Sequence, residues 1–282
     1  MIRPALFELE PGAAAARVGH EPFLVRHRLA EHPLFALPRL VELARTLPAA
    51  QVEYNAGKVP VTLDPAQTPR TGLSAEETIR RIEHCSSWLV LKNVERDPAY
   101  AALLERCLAD VRRMAPHASA GMRLPECFVF VSSPGAVTPY HMDPEENFLL
   151  QIRGRKTLHA FERSVLSDQE AERFFSGAHR NLVYRDEYAA RSRAFKLAPG
   201  LALHLPVIVP HWVQNGPEVS VSFSVTFRTA ASARTAHAHK LNAMLRRLGL
   251  RPGRVGESRV RDALKHLVFR GWTRAARVFA AA

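Results

Sequence analysis

His141, Met142 and Asp143 form a His-x-Asp step inside the extended segment Thr-Pro-Tyr-His-Met-Asp, and a further candidate ligand, His211, stands much later in Val-Pro-His-Trp-Val. Side chains two residues apart on a strand share a face, so His141 and Asp143 can grip one ion from the same side. His211 must then arrive from a different strand. This requirement constrains the chain more than any other feature, because it demands a β structure in which two strands distant in sequence lie together. Two histidines and one carboxylate fill one face of an octahedron and leave three positions open, the set used by non-haem Fe(II) oxygenases. A His-x-Asp pair alone also fits a surface histidine or a satisfied core histidine, so the neighbouring residues decide.

Thr138, Asn147 and Lys156 surround the step on segments that read as adjoining strands. Val137 to Asp143 is extended, Asn147 to Ile152 follows, and Arg153-Gly154 turns into a strand over Lys156 to Phe161. Lys156 stands in the mostly apolar run Lys-Thr-Leu-His-Ala-Phe, where burying an ammonium is costly unless an anion pairs with it. One reading lets the lysine snorkel to water at the strand end. A sharper one makes it the partner of the distal carboxylate of 2-oxoglutarate, with Thr138 and Asn147 adding neutral hydrogen bonds. A charge-assisted contact is about twice as strong as a neutral one, which favours a dicarboxylate over a monocarboxylate.

With these residues in place, the chain resembles the JmjC-type, cupin-like Fe(II) and 2-oxoglutarate-dependent oxygenases, especially the subgroup of the asparaginyl hydroxylase. The resemblance runs from about Phe128 to Phe227 and is carried by Thr-Pro-Tyr-His-Met-Asp, Asn-Phe-Leu-Leu-Gln-Ile-Arg-Gly-Arg-Lys and Pro-His-Trp-Val-Gln-Asn. It implies that His141, Asp143 and His211 hold Fe(II), that Thr138 and Lys156 hold 2-oxoglutarate, and that Asn147 lies close to both. It also implies hydroxylation through a ferryl intermediate, of a protein side chain or a small metabolite. Family members use a tyrosine from an earlier strand on the co-substrate carboxylate, and no equivalent is evident here; Tyr140 adjoins His141 and should face the other way.

Val219, Val221, Phe223, Val225 and Phe227 alternate with Ser220, Ser222, Ser224 and Thr226, a strand with a period of two. Its polar face can be the wet outside of a sheet or the interior of a small barrel that houses a metal and an acid. The resemblance puts Thr226 on the co-substrate side and favours the inward orientation.

The expected fold is mainly β with flanking helices, a double-stranded β-helix or jelly roll of the cupin and JmjC type with a helical C-terminal segment. Three parts are expected: an α/β segment over residues 1–120 packing on the barrel, the barrel core over 121–229, and a basic helical segment over 230–282. In the first part, Pro38 to Leu47, Ser74 to Glu83 and Pro98 to Met114 read as helices, and Ser87 to Asn93 as a buried strand. A helix near Ser167 to Phe175 interrupts the core, and Pro199-Gly200 turns the Phe195 strand into Leu201 to Leu205. With 47% hydrophobic residues the chain can bury a substantial core. Cys85, Cys107 and Cys127 are widely spaced, which argues against a disulfide scaffold or a zinc ribbon. No apolar run approaches the roughly 18 residues of a membrane span, and the N-terminus lacks the apolar stretch of a signal peptide, so a cytoplasmic location is expected.

The last part carries twelve Lys or Arg, from Arg234 to Arg277, against Glu257 and Asp262, which is +10 of the formal +12. Leu241, Met244, Leu245 and Leu248, then Val260, Leu264, Leu267 and Val268, recur at helical spacing and imply two amphipathic helices joined near Arg251-Pro252-Gly253. The resemblance implies a homodimer through such helices; a basic face also suits nucleic acid or an acidic partner. His159 and His204 are expected to pack rather than ligate, and Glu145 and Glu146 to form a solvated turn. Two alternatives to the oxygenase stand: a metal-dependent cupin enzyme that does not use 2-oxoglutarate, and a non-catalytic regulator that binds nucleic acid through its basic tail.

Overall fold

The computed structural model describes residues 4–8 and 14–281, with side chains to residue 276, so the Arg277 side chain lies outside them. Among the described residues, twelve strands form two facing sheets. The larger contains β1 (Phe7–Glu8), β2 (Phe23–His27), β3 (Val52–Ala56), β4 (Ser87–Leu91), β5 (Arg123–Ser132), β7 (Glu146–Arg153), β10 (Leu201–Leu205) and β12 (Ser220–Arg228). Their order across the sheet is β1-β2-β10-β7-β12-β5-β4-β3. The smaller contains β6 (Val137–His141), β8 (Lys156–Phe161), β9 (Ser192–Leu197) and β11 (His211–Asn215), in the order β6-β11-β8-β9. From β5 to β12 the chain passes repeatedly from one sheet to the other, as in the expected double-stranded β-helix. Pro199-Gly200 is one such corner, with β9 in the smaller sheet and β10 in the larger. At the turn from β7 to β8, Gly154 has φ +68°, and a Cβ there would stand 2.3 Å from the Val219 carbonyl oxygen, so only glycine fits.

Residues 1–120 give strands to both edges of the larger sheet. β2 pairs with β10, while β4 joins β3 to β5. The same segment covers the sheet's outer face with α1 (Leu37–Thr46), α2 (Ala75–Arg80) and α3 (Pro98–Met114). Helix α3 starts where Asp97 accepts the Ala99 N–H and Pro98 fills the first turn. Its buried stripe of Tyr100, Leu103, Leu104, Cys107, Leu108, Val111 and Met114 follows the 3.6-residue period and meets the sheet's apolar face. On β12 that face is Val221, Phe223, Val225 and Phe227, all fully buried.

Helix α4 (Asp168–Phe175) lies between β8 and β9, begun by a capping box of Ser167 and Glu170. The two C-terminal helices are α5 (Ala230–Arg247) and α6 (Arg259–Ala281). Helix α6 packs on α5 by an unexpected side. Phe269 and the stem of Lys265 are buried, with Lys265 Nζ donating to the Gly253 carbonyl at 2.7 Å. The apolar stripe of Val260, Leu264, Leu267 and Val268 points to solvent instead. Periodicity located this stripe but could not say which side meets the protein. Among the described residues, no helix is long and apolar enough to cross a membrane.

The Phe223 ring lies 5.2 Å from Phe35, between the barrel and the N-terminal cover. Phe223→Ala is expected to lower stability by about 3–5 kcal/mol in denaturant titration, with an unchanged m value. A loss below about 1 kcal/mol would mean that this face is not packed as described.

Candidate metal centre

Antiparallel pairing of β6 with β11 sets His141 opposite His211. Asp143 follows just beyond the end of β6. Its Oδ2 stands 3.7 Å from the Nε2 of each histidine, and ligand atoms of all three residues lie within 4.8 Å of one another. The imidazoles are aimed by their other nitrogens: His141 Nδ1 lies 2.7 Å from the Pro139 carbonyl and His211 Nδ1 lies 2.9 Å from that of Val209. A carbonyl only accepts, so both Nδ1 atoms carry the proton and both Nε2 lone pairs face Asp143. Burial, then the neighbouring His211, holds His141 well below the usual imidazole pKa. Burial also lowers His211. For Asp143 burial acts upward, but His141, Arg180 and His211 outweigh it and keep the carboxyl low. Neutral imidazoles beside an ionised carboxylate are the protonation states a divalent cation requires.

Thr138 is three residues from His141 and on a regular strand would face away. The register counts three steps on β6 against two on β11 between these positions, a β-bulge. Both side chains therefore reach the wall of one cavity of about 690 Å3, which Asp143, Asn147, Ser224 and Thr226 also line. The polar side of β12 does face inward. Ser224 Oγ donates to Asn147 Oδ1 at 2.8 Å, and Ser222 Oγ to Gln151 Oε1 at 2.7 Å.

Lys156 is 7% exposed and points to the barrel interior in the layer of Leu158 and Ala160, opposite Asn215 in the register. It does not snorkel. No carboxylate among the described residues pairs with it, and desolvation pulls its ammonium down to about 7. Asn215 Oδ1 is also buried without a partner. Lys156 and His211 stand outside the residues that line the cavity, and an unmatched buried cation is a cost that an anion reaching it would offset.

Tyr140 faces away from the cavity into a cluster with Phe161, Tyr184 and Tyr188, as its position implied. Among the described residues no tyrosine lines the cavity; the strand β4 presents Trp88 there, next to Phe130. His159 stacks on Trp212 at 4.1 Å. His204 is buried on the outer side of the larger sheet, its Nε2 accepting the Gly19 N–H. Neither joins the cluster of His141, Asp143 and His211. Glu145 and Glu146 are not a solvated turn, because β7 begins at Glu146 and draws both inward. Glu145 pairs with Arg228 at 2.8 Å, while Glu146 faces His204 at 3.6 Å and is pushed up to about 7 by burial.

Sequence reasoning missed Arg180. It lies in the irregular stretch after α4, which has no hydrophobic period, and its Nη1 donates to Asp143 Oδ1 at 3.3 Å.

Comparisons with known proteins agree with this geometry at the level of the fold. No family model matches the chain. The crystal structure of Escherichia coli YcfD superposes with a TM-score of 0.57 at 17% identity, over 94% of this chain and 68% of that one. YcfD, described as a ribosomal oxygenase and solved with cobalt and 2-oxoglutarate, gives 0.54 at 15% identity over 90% and 61%. Lysine-specific demethylase 8 of Xenopus tropicalis is 32% identical over 104 residues, 33% of this chain and 22% of the relative, so the match spans about a fifth of that protein. The chain has the jelly-roll fold of the JmjC-type oxygenases.

An unpaired buried ammonium costs stability until an anion arrives. Lys156→Met is therefore expected to stabilise the ligand-free protein by about 1–3 kcal/mol in denaturant titration at neutral pH. Destabilisation would show that Lys156 has a partner within the folded chain.

Proposed function

We propose that this chain is an Fe(II)- and 2-oxoglutarate-dependent oxygenase that hydroxylates a protein side chain or a small molecule. The observation that carries the reading is the conjunction of His141, Asp143 and His211 at one point with the unpaired Lys156 in the same barrel. A cupin enzyme that takes no 2-oxoglutarate would lose Lys156 without loss of activity.

In this reading His141 Nε2, His211 Nε2 and one oxygen of Asp143 hold the iron, leaving three positions for co-substrate and O2. The Lys156 ammonium receives the distal carboxylate of 2-oxoglutarate, and Thr138 hydroxyl donates to the same group. Asn147, fixed by Ser224, and Thr226 line the co-substrate side. When bound, the metal and the keto acid supply the oxidising power; the protein orients them and limits access of water. Trp88 and Phe130 form an apolar wall against which a substrate's carbon chain can lie.

Three free thiols, Cys85, Cys107 and Cys127, support a reducing, cytoplasmic setting. The solvent-facing stripe on α6 supports a homodimer: Val260, Leu264, Leu267 and Val268 are 82%, 59%, 62% and 48% exposed. Burying an aliphatic side chain contributes about 1.5–3 kcal/mol. The surrounding arginines also suit nucleic acid or another acidic partner.

Fe(II) and 2-oxoglutarate added to the protein without oxygen should produce the weak visible charge-transfer band of an iron-chelated 2-oxo acid. The band should be lost in His141→Ala and should need about 10-fold more co-substrate or above in Lys156→Met, the worth of a hydrogen bond to a charged group. Confirmed metal binding with no band would overturn the use of 2-oxoglutarate. Light scattering after size exclusion should give a dimer for the wild-type chain and a monomer for a Leu264→Asp, Leu267→Asp double variant; a wild-type monomer at micromolar concentration would dismiss the dimer.

A further inference from the structure

The two oxygens of Asp143 have different partners. Oδ2 faces both imidazole Nε2 atoms, and Oδ1 accepts from Arg180 Nη1 at 3.3 Å. Arg180 is held in place by its backbone. The segment 180–182 runs beside 140–142 as an extra rung of the smaller sheet, with Met142 N–H donating to the Arg180 carbonyl and Leu182 N–H to that of Tyr140. Asn181 Nδ2 donates to the Leu63 carbonyl at 2.9 Å and Tyr184 N–H to Thr62 Oγ1 at 3.0 Å, which ties the rung to a second segment that lines the cavity at Leu63. A loop without a regular hydrogen-bond ladder of its own is thus fixed from two sides, and the guanidinium it carries reaches the cavity wall.

We infer that Arg180 is a positioning residue that holds Asp143 to ligation through Oδ2 alone. This rests on the metal site proposed above. A carboxylate free at both oxygens can swing to grip an ion with two, and doing so here would consume one of the three positions that a chelating co-substrate and O2 require. With 37% of its side chain open to water, Arg180 adds little Coulomb energy to the folded state. What it fixes is orientation: an N–H aimed at Oδ1 makes rotation of the carboxylate toward the ion break a charge-assisted hydrogen bond.

The test uses Co(II), whose visible bands report coordination number, loaded without oxygen into the wild-type chain, Arg180→Met and Arg180→Lys. Arg180→Met should bind Co(II) but show altered bands, with 2-oxoglutarate affinity reduced on the order of 10-fold. Arg180→Lys, which keeps a charged donor, should recover most of the wild-type spectrum. Melting of the metal-free proteins separates the alternatives: a merely structural role would lower the melting temperature of the variants and leave the bands unchanged, which overturns the inference. Wild-type spectrum and affinity in Arg180→Met overturn it as well while leaving the metal site standing. A wild-type chain that takes up no Co(II) overturns both.

Discussion

The antiparallel pairing of β6 with β11 is the contact on which the rest of the site depends. It makes neighbours of His141 and His211, which no local interaction could bring together, and it sets the height at which Asp143 leaves the strand end. The bulge in that same pairing turns Thr138 to the cavity. Without the bulge, the same three-residue spacing would put Thr138 among the tyrosines outside the barrel, since successive side chains on a regular strand alternate between faces. The hydrogen bonds of the ladder, supported by the Pro139 and Val209 carbonyls on the imidazoles, aim both Nε2 atoms toward Asp143.

A second constraint is the two-faced character of the larger sheet. Its outer side is apolar and covered by α1 and α3, so the sheet can be stable while its inner side stays polar near the cavity. Ser222, Ser224, Asn147 and Gln151 satisfy one another there, which removes most of the desolvation cost of burying them. Lys156 and Asn215 Oδ1 are exceptions. Among the described residues no carboxylate stands beside the buried Lys156, and a group left so costly in the folded chain is the kind of local conflict expected at a functional position.

The C-terminal helices show where pattern and packing part company. Their apolar residues recur at helical spacing, but α6 rests on α5 through Phe269, His266 and the stem of Lys265, leaving the aliphatic stripe in water. Helical periodicity identifies an amphipathic helix and is silent about which of two surfaces, the chain's own or another's, the apolar side meets.

By itself the sequence determined what depends on neighbours in the chain. The His-x-Asp step, the alternation from Val219 to Phe227, the Arg153-Gly154 turn and the caps before α3 and α4 are local patterns, and each fixes its own segment through strand or helix geometry. The triad and Lys156 were legible because their motifs lie on those regular segments. The tertiary structure alone decided what depends on approach between distant segments: which residues two strands apart come to one cavity, that Glu145 and Glu146 are drawn inside, that Trp88 stands on the cavity wall and that Arg180 reaches Asp143. The physical reason is the same in each case. Arg180 sits on an irregular stretch whose path is set by hydrogen bonds to Tyr140, Met142, Thr62 and Leu63, and no periodicity within residues 176–185 records where those partners lie.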